Sequence, residues 1–162
     1  MYFETETVLD LVELGIIPQS GRQLGQTLTL DTAGSIRRLA NGDLKARMRP
    51  SLRKFRSAIT FSDIYPPAFN DLWAGDIITV HCAAEISGKV GSAFVRPHVP
   101  GSVIWRNALG DVIPSGADEA VAPVGATNFT FRAIIVFMVE SWDLDTDEWG
   151  AVVSSTLNLR EV

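Results

Sequence analysis

The feature that most constrains this chain is hydrophobic alternation with a period of two. It recurs in short runs that glycine and proline cut apart. That period puts successive side chains on opposite faces of a strand, and an amphipathic helix cannot use it. The clearest case is SIRRLA-NG-DLKARM, residues 35–48. Asn41-Gly42 between two alternating runs is a strong hairpin signal, because both residue types tolerate positive φ. A two-residue type I′ turn there predicts that Leu39 faces Leu44, Arg38 faces Lys45 and Ile36 faces Arg47. Arg38, Lys45 and Arg47 then share one face, and Leu39, Leu44 and Ala46 share the other.

The alternation resumes after Pro50. Phe55, Ile59 and Phe61 point one way, and Lys54, Arg56, Thr60 and Ser62 the other. Pro66-Pro67 must leave the sheet, since neither proline donates a ladder hydrogen bond. In the next run Ile78, Val80, Cys82, Ala84 and Ile86 form an apolar face, opposite Thr79, His81 and Glu85. Shorter strands are predicted at Ala93–Arg96 and Val103–Arg106. Residues 8–17 are ambiguous between helix and strand, and Gly15 with Ile16-Ile17 tilts them toward strand. Residues 108–128 hold few large apolar side chains and predict a long surface loop or arm. The last third reads as a hairpin of Phe129–Trp142 and Ala151–Leu159. Ile134, Val136 and Met138 add apolar residues to the outer face of its first strand, which predicts a strand buried on both sides. At 162 residues the chain suits one domain. The fold class expected is all-β, an antiparallel sandwich or barrel of about eight strands with long loops.

Charge is unevenly spread. Residues 37–56 hold eight of the fourteen basic residues and one of the nineteen acids, a net +7 that leaves the rest of the chain at −12. Arg38 opposite Lys45 would destabilise the hairpin by up to roughly 1 kcal/mol, so an anionic partner is expected to offset it. The acid-rich stretches 110–120 and 143–148 qualify, on the same chain or on a neighbouring copy. Nucleic acid is disfavoured: the chain is acidic, with a pI near 5.0, and no aromatic residues interleave with the basic ones.

Catalytic and metal chemistry find little to work with. The single cysteine precludes an intrachain disulfide. Cys82 and His81 are strand neighbours and point to opposite faces, so Cys82 reads as a small buried hydrophobe. Asp143, Asp145 and Asp147 open like a calcium loop. The pattern then fails at Glu148, where glycine is needed, and at Ser154, where a bidentate carboxylate is needed, which favours a solvated acidic turn. No metal, cofactor or enzymatic activity is expected. Tyr65, Trp73, Trp105, Trp142 and Trp149 fall at turns and strand ends. They can serve as interface anchors or as caps on the core. No run is long enough for a membrane-spanning helix, and the acidic start MYFETETVLD lacks the positive charge of a signal peptide. Synthesis in the cytoplasm, with no membrane partner, is therefore expected.

Several segments together resemble a group of small virion proteins of tailed bacteriophages. They are the Asn41-Gly42 hairpin, the strand Arg53–Ile59, the Pro66-Pro67 turn, the strand Trp73–Cys82, and Asp147–Ala151 in the last hairpin. The likeness spans about two thirds of the chain and departs at 108–128 and at the N-terminus. None of the shared motifs is catalytic. The resemblance implies a virion structural protein of a tail-tip or baseplate hub or a tail ring, with copies of itself and other virion proteins as partners. A head decoration or head–tail connector protein is the alternative. A β-sandwich module that binds carbohydrate or a host receptor is an alternative from another class. Arg38, Lys45, Arg47, Lys54, Arg56, Asp143, Asp145 and Asp147 are the expected assembly residues.

Overall fold

The computed structural model describes residues 7–32, 35–148 and 152–162. Its ten strands are β1 (Asp10–Leu11), β2 (Gln23–Thr32), β3 (Ser35–Arg38), β4 (Leu44–Arg47), β5 (Arg53–Asp63), β6 (Ile77–Lys89), β7 (Ile104–Arg106), β8 (Val112–Ile113), β9 (Asn128–Thr146) and β10 (Val153–Glu161). A single 3₁₀ turn at Pro50–Leu52 is the one helical element among the described residues. All pairings are antiparallel, and the main sheet has the order β1-β6-β9-β10-β5-β2. The all-β antiparallel architecture is as expected.

The alternating apolar positions line the inside of this sheet. Ile59 and Phe61 on β5, Ile78, Val80 and Cys82 on β6, every odd residue of β9 from Phe129 to Val139, and Leu157 and Leu159 on β10 are buried. Burial of each large side chain contributes about 1.5–3 kcal/mol, which makes the inner face the source of the sheet's stability. The sheet curls into a half-barrel until β2 comes up against β6. Backbone pairing does not close that seam. Gln26 spans it: its Oε1 accepts from the N–H groups of Ala83 (2.7 Å) and Ala84 (3.0 Å), and its Nε2 donates to Ser57 Oγ (3.0 Å). The β6–β9 register shifts between His81 and Glu85, at those two amides, so a bulge creates the donors that Gln26 satisfies.

Aromatic side chains plug both ends. Phe69, on the loop after β5, packs edge-on to Phe61 and against Trp142. At the other end Phe94 meets Trp105, Phe129 and Phe131. The strand expected at Ala93–Arg96 is absent: Pro97 limits pairing there, and Phe94 turns into the aromatic cluster instead. Residues 8–17 contain only the two-residue β1, followed by a turn in which Gly15 N–H donates to Leu11 O. β9 is central in the sheet, but its outer face is not buried, since Val136 and Met138 are exposed. The segment 108–127 is mostly loop, interrupted by β8, and is tied down through Glu119. The Glu119 carboxylate accepts from Gly101 N–H and lies 3.0 Å from His98 Nε2, and its carbonyl accepts from Trp105 Nε1.

Candidate assembly surface

β3 and β4 form a separate two-stranded ribbon that, among the described residues, pairs with no strand of the main sheet. The hairpin is where the sequence placed it, but its turn is different. Leu39 O accepts from Gly42 N–H, and Leu39 N–H donates to Asp43 O. Gly42 alone takes positive φ (+91°) in the turn. The Asn41 side chain bonds forward to Asp43, through Oδ1 to its N–H and through Nδ2 to its carboxylate. That local bonding suits a right-handed Asn, so the turn is a three-residue loop with a glycine bulge instead of type I′.

One extra loop residue slips the register by one. The observed partners are Arg37↔Lys45, Ile36↔Ala46 and Arg38↔Leu44. A one-residue slip exchanges the faces of one strand relative to the other. Arg37, not Arg38, therefore shares a face with Lys45 and Arg47. Arg38 stands on the opposite face with Ile36, Leu44 and Ala46, and its Nη1 donates to Gly42 O. The like-charge opposition survives with a new member, Arg37 against Lys45. Among the described residues Arg37, Lys45 and Arg47 form no ion pair.

Lys54 and Arg56 do not extend this face. They lie on β5, in the other sheet, and serve their own chain: Lys54 Nζ donates to Val162 O, and Arg56 pairs with Glu140. The arm exposes apolar residues too, with Ile36 at 57% and Leu44 at 64%. A two-stranded ribbon wet on both faces is marginal by itself.

Asp143 and Asp145 stand near the far end of β9, paired across from Thr156 and Ser154. A bulge at residues 140–141 reverses the alternation of β9, so Trp142 and Leu144 now oppose Leu157 and Ser155, on the inner side. The two aspartates face outward, and Asp143 Oδ1 accepts from Thr156 N–H. No cluster of three potential metal ligands occurs among the described residues. β5 shows how the two charged features relate. It starts at Arg53, beside the arm, and ends at Asp63, which pairs with Val153 opposite Thr146. Basic arm and acidic β9–β10 end therefore lie at opposite ends of an eleven-residue strand, about 30 Å apart along it. They cannot neutralise each other within one chain.

The remaining candidates resolve simply. Cys82 is fully buried, and burial pushes its thiol up to about 11, which suits a packing role. Trp105 is buried, and Trp142 bonds through Nε1 to Leu72 O. Trp73 (72% exposed) and Tyr65 are more open than Trp142, and Trp149 lies outside the described residues. No helix among the described residues is long and apolar enough to cross a membrane. Sequence reasoning missed Gln26 and β2 as a whole; the only signal was Leu24, Leu28 and Leu30 at even spacing. No protein-family model, curated protein or solved structure matches the chain.

Proposed function

We propose that this chain is a non-enzymatic structural component of a tailed-phage virion, a tail-tip or baseplate hub or a tail ring protein, that assembles with copies of itself. The observation that carries the self-assembly is the β3–β4 arm. It is a ribbon standing off the barrel, with an uncompensated basic face and exposed apolar residues, on a chain whose remainder is acidic. Among the described residues neither burial nor an ion pair reaches the ribbon beyond Ser35, and a second molecule would supply both. The resemblance of the hairpin, Arg53–Ile59 and Trp73–Cys82 to small virion proteins supports placing that assembly in a phage particle.

Lys45→Glu with Arg47→Glu tests it. Charge reversal at an interface costs several kcal/mol through like-charge contacts, whereas exposed substitutions shift folding by about half a kcal/mol or less. The double variant is expected to fold with unchanged circular dichroism and to fail to enter particles. Particles that incorporate it normally would show that the arm faces solvent. A second reading rests on Trp73 and Tyr65, whose exposure on one loop suits a glycan or receptor contact. Binding on a glycan array that is lost in Trp73→Ala would favour it.

A further inference from the structure

A groove of about 440 Å³ opens at the root of the arm, between the end of β4, the Pro50–Leu52 turn and the body of the sheet. Its apolar wall includes Leu30 (75% exposed), Met48, Leu52 and Val95. Water meets all four, although a folded chain gains by covering such side chains. Arg49 and Arg53 also line it, and among the described residues neither forms an ion pair, while Lys54 beside them donates to Val162 O. The other two charged lining residues are already matched. Arg96 pairs with Glu161 at 2.5 Å, and Asp31 lies 3.6 Å from Arg160. The groove is therefore apolar inside, with two arginines on its lining that have no ion pair among the described residues.

What fits is an extended segment with an apolar side chain between carboxylates. The chain displays one at the opposite end of β5: Asp143-Leu144-Asp145, with Leu144 half exposed beyond the covered part of the core. The bulge at residues 140–141 sends Leu144 to one face of that ribbon and both aspartates to the other. A ribbon seated with Leu144 on the apolar wall brings a carboxylate on either side of that residue to a groove whose Arg49 and Arg53 have no ion pair among the described residues. About 30 Å of strand separates the two features in one molecule, so the segment cannot fill its own groove.

We propose that the β9–β10 end of one copy occupies the arm-root groove of the next, so that copies join head to tail. This rests on the reading of the chain as self-assembling and names the contact. Two different patches meet, so the interface is heterologous. It closes into a ring when the rotation per copy divides the circle, and otherwise continues as a filament.

Two variants at exposed positions separate the halves of the contact: Leu30→Glu with Leu52→Glu in the groove, and Leu144→Ser with Asp145→Ser on the ribbon. In sedimentation velocity the wild type is expected to self-associate, less so at high salt. Each variant alone is expected to be monomeric with native circular dichroism. Their equimolar mixture is expected to form a one-to-one dimer and nothing larger, since it holds one intact groove and one intact ribbon. Variants that assemble like the wild type, or a mixture that stays monomeric while the wild type assembles, would overturn this contact and leave self-assembly standing. A wild type that stays monomeric at millimolar concentration would remove both. Retention of heparin by a monomeric wild type, lost in the groove variant, would assign the groove to a polyanion and overturn the proposal.

Discussion

Arg22 and Asp63 show how one pair fastens the start of β2 to the end of β5. The Arg22 side chain donates through Nε and Nη2 to the Asp63 carboxylate, at 2.7 Å for the closest approach, and its backbone N–H adds a third bond. Ile64 N–H donates a fourth. These bonds to the charged form, led by the Arg22 side chain, hold the carboxyl at about 2 against an ordinary 3.8. The folded state thus binds this proton less readily than the unfolded chain. The stabilisation is complete above about pH 4 and is lost as pH falls through about 2. Asp63→Asn is expected to lower the urea midpoint at pH 7, and the two proteins should converge near pH 2. A constant difference across that range would mean that the carboxylate's charge plays no part.

At the scale of elements, the half-barrel depends on a side chain where a barrel would use a strand pair. Gln26→Leu keeps the bulk but strips Ala83 and Ala84 of their acceptor. Each unsatisfied amide costs about 1–3 kcal/mol when water cannot replace the bond. A loss of about 2 kcal/mol is expected, or roughly 4–8 °C in melting temperature for a chain of this size. Gln26→Glu retains an acceptor for both amides and should recover much of that loss. The same scale shows what the sequence could convey. Alternation identified the buried faces of β5 and β6 and the inner face of β9, because burial of one side is what alternation encodes. It placed the hairpin but not its register, which hung on the φ of one residue, Asn41, and on a side-chain bond to Asp43. The bulges at 82–84 and 140–141 were invisible, since an extra strand residue carries no residue type of its own. One of them decides where Leu144 points, and the other creates the task of Gln26. Both belong to strand pairing, which sequence periodicity does not report.

Across the whole molecule, charge polarity becomes a direction. The sequence showed a +7 window in a −12 background, and only the pairing of β5 with β10 and of β10 with β9 sets that window and the Asp143–Asp145 segment at opposite ends. A chain polarised this way, with a groove at one end and a ribbon at the other, is built unevenly in stability as well. The half-barrel has a continuous buried core, while every described residue of β4, and of β3 after Ser35, is exposed. Local opening free energies run from near zero in such exposed segments up to the global value in core strands. Amide hydrogens of Ile36–Arg38 and Leu44–Arg47 are therefore expected to exchange close to intrinsic rates in the dilute protein, even where they bond across the ribbon. Those of β6 and β9 should exchange only on global unfolding. Assembly should reverse the contrast at one place. If a neighbouring copy covers the arm, its amides become protected with increasing protein concentration, and the groove variant should abolish that gain without touching the protection of β6. Arm amides already protected in the monomer would mean that the ribbon is stable unaided, and its demand for a partner would disappear.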